Sequence, residues 1–250
     1  MSTRTRRIAA VGAAIAGTAG LIAVMVGLSV ATTAPSAQPA PAGAPAPAAA
    51  PAAADPATRT QPLVAFYGDS YTLGTGASDP ANRWSSIIAA ERGWTEFNPS
   101  VNGLGFVNNR ASTPPDYLPS DEIPQIIAQR PDIVFVTMGL NDNFSMPARA
   151  EAIQHAIRTD LDTLRTELPD ARIIVVEPFW YTDERPDSVA WVIDHVRQGA
   201  EGIDAEWIPD ASHWIEGHPE WMAADGLHPN DAGYAEMARR MDAALAQLGL

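Results

Sequence analysis

Residues 63–71 read Leu-Val-Ala-Phe-Tyr-Gly-Asp-Ser-Tyr, an apolar run that ends in a short polar turn. Such a run, bounded by a turn signal, predicts a buried strand. Ser70 would then lie just past the carboxyl end of that strand, where open parallel α/β sheets form their ligand-binding cleft. Gly-Asp-Ser is also an ordinary turn sequence, so the stretch alone is equally compatible with a simple strand-to-helix loop.

Strand and helix patterns alternate along the rest of the chain, which is typical of a parallel α/β fold. The predicted strands lie near residues 63–67, 95–98, 133–138, 172–177 and 205–208. Between the third and fourth strands we expect a helix with Ser145 as its candidate cap and Pro147 in its first turn. Its buried stripe would comprise Ile153, Ile157, Leu161, Leu164 and Leu168.

Polar residues also follow the second and third predicted strands. Residues 102–105 read Asn-Gly-Leu-Gly, and the residues after the third strand read Gly-Leu-Asn-Asp. Acyl transfer requires hydrogen-bond donors aimed at the oxygen that becomes negative, and a glycine N–H and an Asn amide are donors of this kind. Ser70, Gly103 and Asn141 therefore form a coherent candidate set, in which Gly105 could take the place of Gly103.

A base for the serine is expected in the tetrad Asp-Gly-Leu-His that ends at His228. A serine hydroxyl needs a neutral imidazole to accept its proton and a carboxylate, here Asp225, to hold the tautomer. Asn230 follows as a candidate N-cap. A helical apolar stripe comes next, formed by Tyr234, Met237, Ala238, Met241, Leu245 and Leu248. A loop held between a turn and a packed helix has the rigidity that a general base needs.

The other histidines are weaker candidates for this role. Asp210 and His213 repeat the Asp-x-x-His spacing, but no comparable helical stripe anchors them. His155 and His195 fall inside predicted helices, where a solvated or hydrogen-bonded ring is the default, and His218 is expected on a surface loop. The histidines match no compact ligand motif and the chain has no cysteine, so we expect neither a metal nor a cofactor.

The Ser, Gly, Asn and His blocks resemble those of the SGNH hydrolase superfamily, whose serine block is often called GDSL. The resemblance covers residues 63–248. It implies that Ser70 is the nucleophile, that His228 is the base and that Asp225 orients this base. It also implies an oxyanion hole formed by the N–H of Ser70, the N–H of Gly103 and the side chain of Asn141.

The resemblance also implies one flavodoxin-like, three-layer α/β domain with five parallel strands in the order 2-1-3-4-5. Ser70 and Asn141 would then face each other at the switch point between strands one and three. The α/β-hydrolase fold is disfavoured because no Gly-x-Ser-x-Gly elbow surrounds the serine. Tyr71 stands where the family's nickname has Leu, which we expect to affect loop packing or cleft lining more than chemistry. We expect Asp69 to organise the serine loop through local hydrogen bonds, and we interpret Asp142 as a structural residue.

The implied activity is hydrolysis of carboxylic esters by a serine esterase through an acyl-enzyme. We rank short acyl groups on carbohydrates or other small molecules ahead of lipids, because the domain has no exposed run of large apolar residues. Trp180, Tyr181, Trp214 and Trp221 are candidates to stack on a sugar ring or to line an acyl groove, and packing in the core is at least as good an interpretation of each. The alternatives are a lipase, an acyltransferase that uses the same site, and a catalytically idle, surface-tethered carbohydrate-binding module.

Residues 1–33 are expected to form a signal peptide or an uncleaved signal anchor, and we favour cleavage. Three arginines precede a charge-free stretch at residues 8–30, which predicts that the amino end stays cytoplasmic and the remainder lies outside. Residues 34–60 are expected to be a linker, because a composition dominated by Ala and Pro cannot bury a core. We therefore expect an exported, bacterial-type enzyme, extracellular or tethered to the cell surface, whose only contact with the membrane is its amino-terminal segment.

Residues 61–250 have the length of one domain with a sizeable core, the expected hydrolase domain. Residues 58–250 hold 13 arginines, no lysine and 29 acidic residues, which leaves a formal charge of −16. A field of this sign repels polyphosphates, so we expect no nucleic acid as a partner. Without cysteine, stability must come from packing, and we expect a monomer.

Overall fold

The computed structural model describes residues 58–110 and 122–250. Within these residues lies a sheet of five parallel strands in the order 2-1-3-4-5, which confirms the predicted topology. The strands are β1 (Leu63–Gly68), β2 (Thr95–Phe97), β3 (Ile133–Thr137), β4 (Arg172–Val176) and β5 (Glu206–Ile208). Each of them overlaps a predicted strand.

The register of β1 and β3 determines where the loops after them begin. Gly68, the last residue of β1, pairs with Thr137, the last residue of β3. The strand order reverses between these two strands, which creates a crevice at their carboxyl ends. The loops that carry Ser70 and Asn141 therefore start side by side at this crevice.

Helices cover both faces of the sheet. They are α1 (Ser70–Leu73), α2 (Trp84–Glu91), α3 (Glu122–Gln129), α4 (Ala150–Glu167), α5 (Asp187–Gly202) and α6 (Asp231–Gln247). Ala65 and Tyr67 of β1 pack in the cluster beneath α3, α4 and α5, whereas Val64 and Phe66 pack in the cluster beneath α2 and α6. Because both faces are covered, β1 reads as a continuous apolar run and not as an alternating one.

Helix α4 begins later than the sequence predicts. Residues Asn141–Ser145 form a turn of 3₁₀-helix directly after β3, and α4 starts at Ala150 with Arg149 as a cap that makes no side-chain cap bond. Ser145 is therefore not the cap, and Pro147 precedes the helix instead of lying in its first turn. The predicted apolar stripe is confirmed, since all five of its residues are buried.

Helix α6 begins as predicted, with Asn230 as its cap. The Oδ1 atom of Asn230 accepts hydrogen bonds from the N–H groups of Ala232 and Gly233, which would otherwise have no partner in the helix. Its amide nitrogen donates to the carbonyl oxygens of Glu220 and Met222. The cap of α6, two residues after His228, is thus tied to the loop that precedes this histidine.

The amino-terminal predictions lie almost entirely outside the described residues. Only the last residues of the expected linker are described, and there Arg59 donates to the carbonyl oxygens of Gln129 and Arg130. Across residues 58–110 and 122–250, no helix combines the length and the apolar character needed to cross a bilayer.

Candidate active site

The serine block forms a tight turn from β1 into α1. A side chain at Gly68 would collide with Thr137 and Thr72, because a Cβ atom there would lie 2.4 Å from the Thr137 hydroxyl. Asp69 caps α1 by accepting a hydrogen bond of 3.0 Å from the N–H of Tyr71. Ser70 is the first residue of the helix and is 6% exposed. Its backbone N–H is one of those that a helix leaves without an intrahelical partner.

Asp69 is a buried carboxyl group beside the serine. Its second oxygen lies 3.2 Å from the amide nitrogen of Asn141, which donates to it. Burial raises the pKa of Asp69 to about 7, and the nearby Asp142 adds to this rise, whereas the hydrogen bond from Tyr71 opposes it. The expectation that Asp69 organises the serine loop through local hydrogen bonds is confirmed.

Asn141 is the first residue of the 3₁₀ turn that follows β3, and it faces the serine block. Its amide nitrogen donates to the carbonyl oxygen of Leu104 at 2.9 Å in addition to Asp69. The loop that contains Gly103 and Leu104, called the glycine loop below, and the loop that contains Asp69 and Ser70 are therefore both bonded to the Asn141 side chain. Gly103 lines the same cavity as Asn141 and has a φ of 72°, whereas Gly105 packs against the carboxylate of Asp142.

The histidine block forms the predicted pair. The Nδ1 atom of His228 lies 2.7 Å from Oδ2 of Asp225, whose Oδ1 accepts from the N–H groups of Leu227 and His228. The hydrogen bond from the His228 ring is the largest cause that lowers the pKa of Asp225 to about 2. An ionised carboxylate requires a hydrogen on Nδ1, so Nε2 of the neutral ring is left as an acceptor.

One cavity of about 220 Å³ brings these blocks together. The site residues that line it are Ser70, Gly103, Asn141 and His228, while Asp225 lies behind the histidine ring. The other lining residues are Tyr71, Thr75, Asn102, Leu140, Phe144 and Leu227. A hydroxyl, an imidazole and several hydrogen-bond donors therefore surround a space that is large enough for a small group.

Comparison with known proteins identifies the family of this chain. The family model described as the GDSL-like Lipase/Acylhydrolase family matches residues 66–236. This chain belongs to that family. A GDSL lipase of Mycobacterium tuberculosis is 29% identical over 187 residues, which are 71% of this chain and 79% of the relative. As a GDSL-family member, the protein is a serine ester hydrolase.

Two solved structures share the GDSL-family fold of this chain. The psychrotrophic esterase EstA from Pseudoalteromonas sp. has a TM-score of 0.56 at 15% identity, covering 75% of this chain and 98% of EstA. A catalytic mutant of an acetylxylan esterase from Geobacillus stearothermophilus has a TM-score of 0.52 at 20% identity, covering 72% and 92%. At such identities the likeness establishes the fold.

Tyr71, which departs from the Leu of the GDSL nickname, joins the serine and histidine blocks. Its ring is buried, lines the cavity and stacks on Phe179 with 5.8 Å between ring centroids. Its hydroxyl donates a hydrogen bond of 2.7 Å to the carbonyl oxygen of Leu227. The expected effect on packing and lining is confirmed, but the bond to the histidine loop was not foreseen, because it spans 156 residues of sequence.

The other histidines lie outside the cavity of this GDSL domain. His213 and His218 each pair with a nearby glutamate on the surface, and His195 stacks on Trp191 in α5. His155 is exposed on α4. Among the described residues, no group of three or more His, Cys, Asp or Glu side chains is placed to hold a metal ion.

None of the three candidate tryptophans lines the cavity, and core packing, the alternative interpretation, is observed for two of them. Trp180 and Trp214 are buried in the core, and the indole N–H of Trp180 donates to Thr182 and Glu184. Trp221 stacks on His218. The aromatic residue that sequence reasoning missed is Phe144, which lines the cavity and is 58% exposed. The apolar Phe144 follows Asn141 by three residues, and that proximity was the available signal.

Proposed function

We propose that Ser70, His228 and Asp225 carry out the ester hydrolysis and that Ser70, Gly103 and Asn141 form the oxyanion hole. One observation carries this assignment: the serine, the glycine, the asparagine and the histidine line a single cavity, and the carboxylate of Asp225 accepts a hydrogen bond from Nδ1 of the histidine ring. A nucleophile, a base and an orienting carboxylate at one cavity support a serine hydrolase mechanism.

In the first step Ser70 Oγ attacks the ester carbonyl while Nε2 of His228 accepts the hydroxyl proton. The tetrahedral intermediate collapses as the carbon–oxygen bond to the alcohol breaks and His228 returns the proton to the leaving oxygen. Water then attacks the acyl-enzyme while His228 accepts a proton from it. The bond from the acyl carbon to Ser70 Oγ breaks, His228 returns the proton to this oxygen, and the carboxylic acid leaves. Asp225 stays ionised throughout and stabilises the imidazolium ring.

The oxyanion would be bound by the N–H groups of Ser70 and Gly103 and by the amide of Asn141. In the free protein Asn141 uses its amide hydrogens on Leu104 at 2.9 Å and on Asp69 at 3.2 Å. The longer bond, to Asp69, is the one that we expect to give way to the substrate oxygen.

Fluorophosphonate labelling of the full chain tests this assignment. The reagent should modify Ser70, as located by mass spectrometry, and the Ser70→Ala variant should lose both labelling and hydrolysis of p-nitrophenyl acetate. Ser85→Ala is the matched control, because Ser85 is a buried serine that donates to Glu96 and does not line the cavity. Full activity in Ser70→Ala would refute the proposal.

For the substrate we propose esters with short acyl groups, on carbohydrates or other small molecules. The cavity of about 220 Å³ is small, and its apolar walls come from Leu140, Phe144 and Leu227. One relative in fold is an acetylxylan esterase, which supports an acylated carbohydrate, whereas the relative from M. tuberculosis is named a lipase. Acyl transfer to an alcohol other than water would use the same residues.

A panel of p-nitrophenyl esters from acetate to palmitate, together with acetylated xylan, separates these substrates. We expect the highest kcat/KM for acyl chains of about two to four carbons, because longer chains exceed the cavity. An optimum at long chains would indicate a lipase, and products acylated on an added alcohol would indicate a transferase. Membership of a hydrolase family speaks against the idle carbohydrate-binding module.

We also propose that the enzyme is exported. The support is the arginine-rich start of the chain followed by the charge-free stretch at residues 8–30. Fractionation of cells that express the full chain, with mass spectrometry of its amino end, distinguishes a cleaved signal peptide from an anchor. Recovery of the full-length chain in the cytoplasm would contradict export. The monomer stays a prediction, which size-exclusion chromatography with light scattering would test.

A further inference from the structure

Asp142, the residue after Asn141, holds the whole glycine loop by its carboxylate. The side chain is fully buried, and its Oδ2 atom accepts a hydrogen bond of 2.7 Å from the N–H of Phe106. Its Oδ1 atom accepts from the N–H groups of Val107 at 2.9 Å and Asn108 at 3.4 Å. Three successive backbone donors thus converge on one carboxylate.

The loop is shaped to admit this carboxylate. A Cβ atom on Gly105 would lie 2.7 to 2.8 Å from the carboxyl atoms of Asp142, so a larger residue would push the carboxylate away. The N–H of Gly105 donates to the carbonyl oxygen of Asn108, and the Asn108 side chain donates to the carbonyl oxygen of Gly103. A continuous set of bonds therefore runs from Asp142 to Gly103.

The hydrogen bonds to Asp142 oppose the effect of its burial. Burial raises its pKa, and the N–H groups of Val107, Phe106 and Asn108 oppose the rise, as does the charge of Arg110. If a buried acceptor loses such donors, the folded protein is destabilised by the full free energy of desolvating that acceptor. The conformation of the loop and the burial of the carboxylate therefore depend on each other.

We propose that Asp142 is a positioning residue for the oxyanion hole, which it sets by holding the glycine loop so that the N–H of Gly103 and the amide of Asn141 point to the same place. The inference rests on the proposed roles of Gly103 and Asn141. Because Asp142 directly follows Asn141 in the chain, one residue connects the two donors. A displacement of about 1 Å in such donors costs on the order of a hundredfold in rate.

The test is Asp142→Asn in the full chain. The new NH₂ group is a donor that faces a backbone donor, so the loop should shift. We expect kcat for p-nitrophenyl acetate to fall about 10- to 100-fold with KM changed less than about twofold, because the oxyanion forms only in the transition state. A trifluoromethyl ketone, which forms an oxyanion adduct, should lose affinity in parallel with kcat.

Glu177→Gln is the matched control. Glu177 is likewise a buried carboxylate that accepts from two backbone N–H groups, those of Asp210 and Ser212, and none of these three residues lines the cavity. The Glu177→Gln variant should have a lower melting temperature but an unchanged kcat per folded molecule. A kcat for Asp142→Asn that falls only in proportion to the folded fraction, as in Glu177→Gln, would overturn the inference.

Asn108→Ala settles the case in which Asp142→Asn does not fold. It removes the side-chain bond to Gly103 and a longer one, of 3.4 Å, from the Ser145 hydroxyl, but it leaves the backbone donors of Asp142 in place. A drop in kcat at constant KM supports the inference, and an unchanged kcat overturns it. Ser70→Ala separates this result from the proposed function. If that variant stays active, the catalytic assignment fails; if it is inactive while both loop variants keep their kcat, only the positioning role fails.

Discussion

The hydroxyl of Tyr71 donates a hydrogen bond of 2.7 Å to the carbonyl oxygen of Leu227. Tyr71 follows the serine directly, and Leu227 directly precedes the histidine, so this bond connects the two halves of the site across the cavity wall. The loops also approach closely elsewhere, since a Cβ atom on Gly76 would lie 2.4 Å from the carbonyl oxygen of Pro229. The distance from nucleophile to base therefore depends on direct contact between these loops.

Removal of the Tyr71 hydroxyl should make the distance between the side chains of Ser70 and His228 more variable. For Tyr71→Phe we expect kcat to fall about 3- to 10-fold and the free energy of unfolding to fall by about 1 kcal/mol, since Leu227 loses its partner. Tyr234→Phe is the control, because its hydroxyl makes a similar bond to the carbonyl oxygen of Thr75. Equal losses of kcat in both variants, measured with p-nitrophenyl acetate and urea unfolding, would contradict a specific role for Tyr71.

The carboxylate of Asp225 should determine the tautomer of His228. Asp225→Asn replaces the acceptor of the Nδ1 hydrogen with a group that permits the wrong tautomer, and we expect kcat to fall by about 10³- to 10⁴-fold. His213→Ala, which removes the surface histidine with the same Asp-x-x-His spacing, should keep nearly full activity. Steady-state kinetics on both variants checks this, and a strong loss in His213→Ala would point to a different base.

The buried carboxyl group of Asp69 should make stability fall as the pH rises. Its pKa is about 7 in the folded chain, against 3.8 as the ordinary value. Between these pH values the unfolded chain is ionised while the folded chain keeps the proton, so folding becomes less favourable from pH 4 to 7 and constant above. Asp69→Asn lacks this group and should gain stability relative to the wild type across that window.

Urea unfolding of both proteins at several pH values measures the effect of Asp69. A difference in unfolding free energy that does not vary between pH 4 and 7 would show that the carboxyl group titrates normally. Asp225→Asn serves as the contrast, because the pKa of Asp225 is lowered to about 2. The ionised carboxylate of Asp225 contributes to the free energy of unfolding above its ordinary pKa, and this contribution is lost as the pH falls below about 4.

Phe144 should limit the length of the acyl chain. It lines the cavity from an exposed position, so Phe144→Ala should open the space at little cost in stability. We expect the ratio of kcat/KM for p-nitrophenyl octanoate to that for the acetate to rise about tenfold. Val101→Ala truncates the other large apolar residue that is exposed in the described residues, but Val101 does not line the cavity. An equal shift in both variants would exclude a specific role for Phe144.

The sequence by itself was sufficient to predict the strands of the sheet and the four blocks of the site. The apolar runs that form the strands are local signals, and so are the residues placed directly after them. Parallel topology then requires that residues at the ends of β1 and β3 meet at one edge, which is why Ser70 and Asn141 could be placed together. The pair of Asp225 and His228 was predictable because the two residues lie three positions apart.

Tertiary structure alone decided the features that join distant segments. The bond from Tyr71 to Leu227, the hold of Asp142 on the glycine loop and the burial of Trp180 and Trp214 depend on side chains that meet only after the chain has packed. Ser145 failed as a cap because the turn after β3 continues into a 3₁₀-helix, and propensity gives no warning of that. Local pattern specifies which residues form an element, but packing across the sheet specifies which side chains turn toward the cavity, since those contacts join residues far apart in sequence.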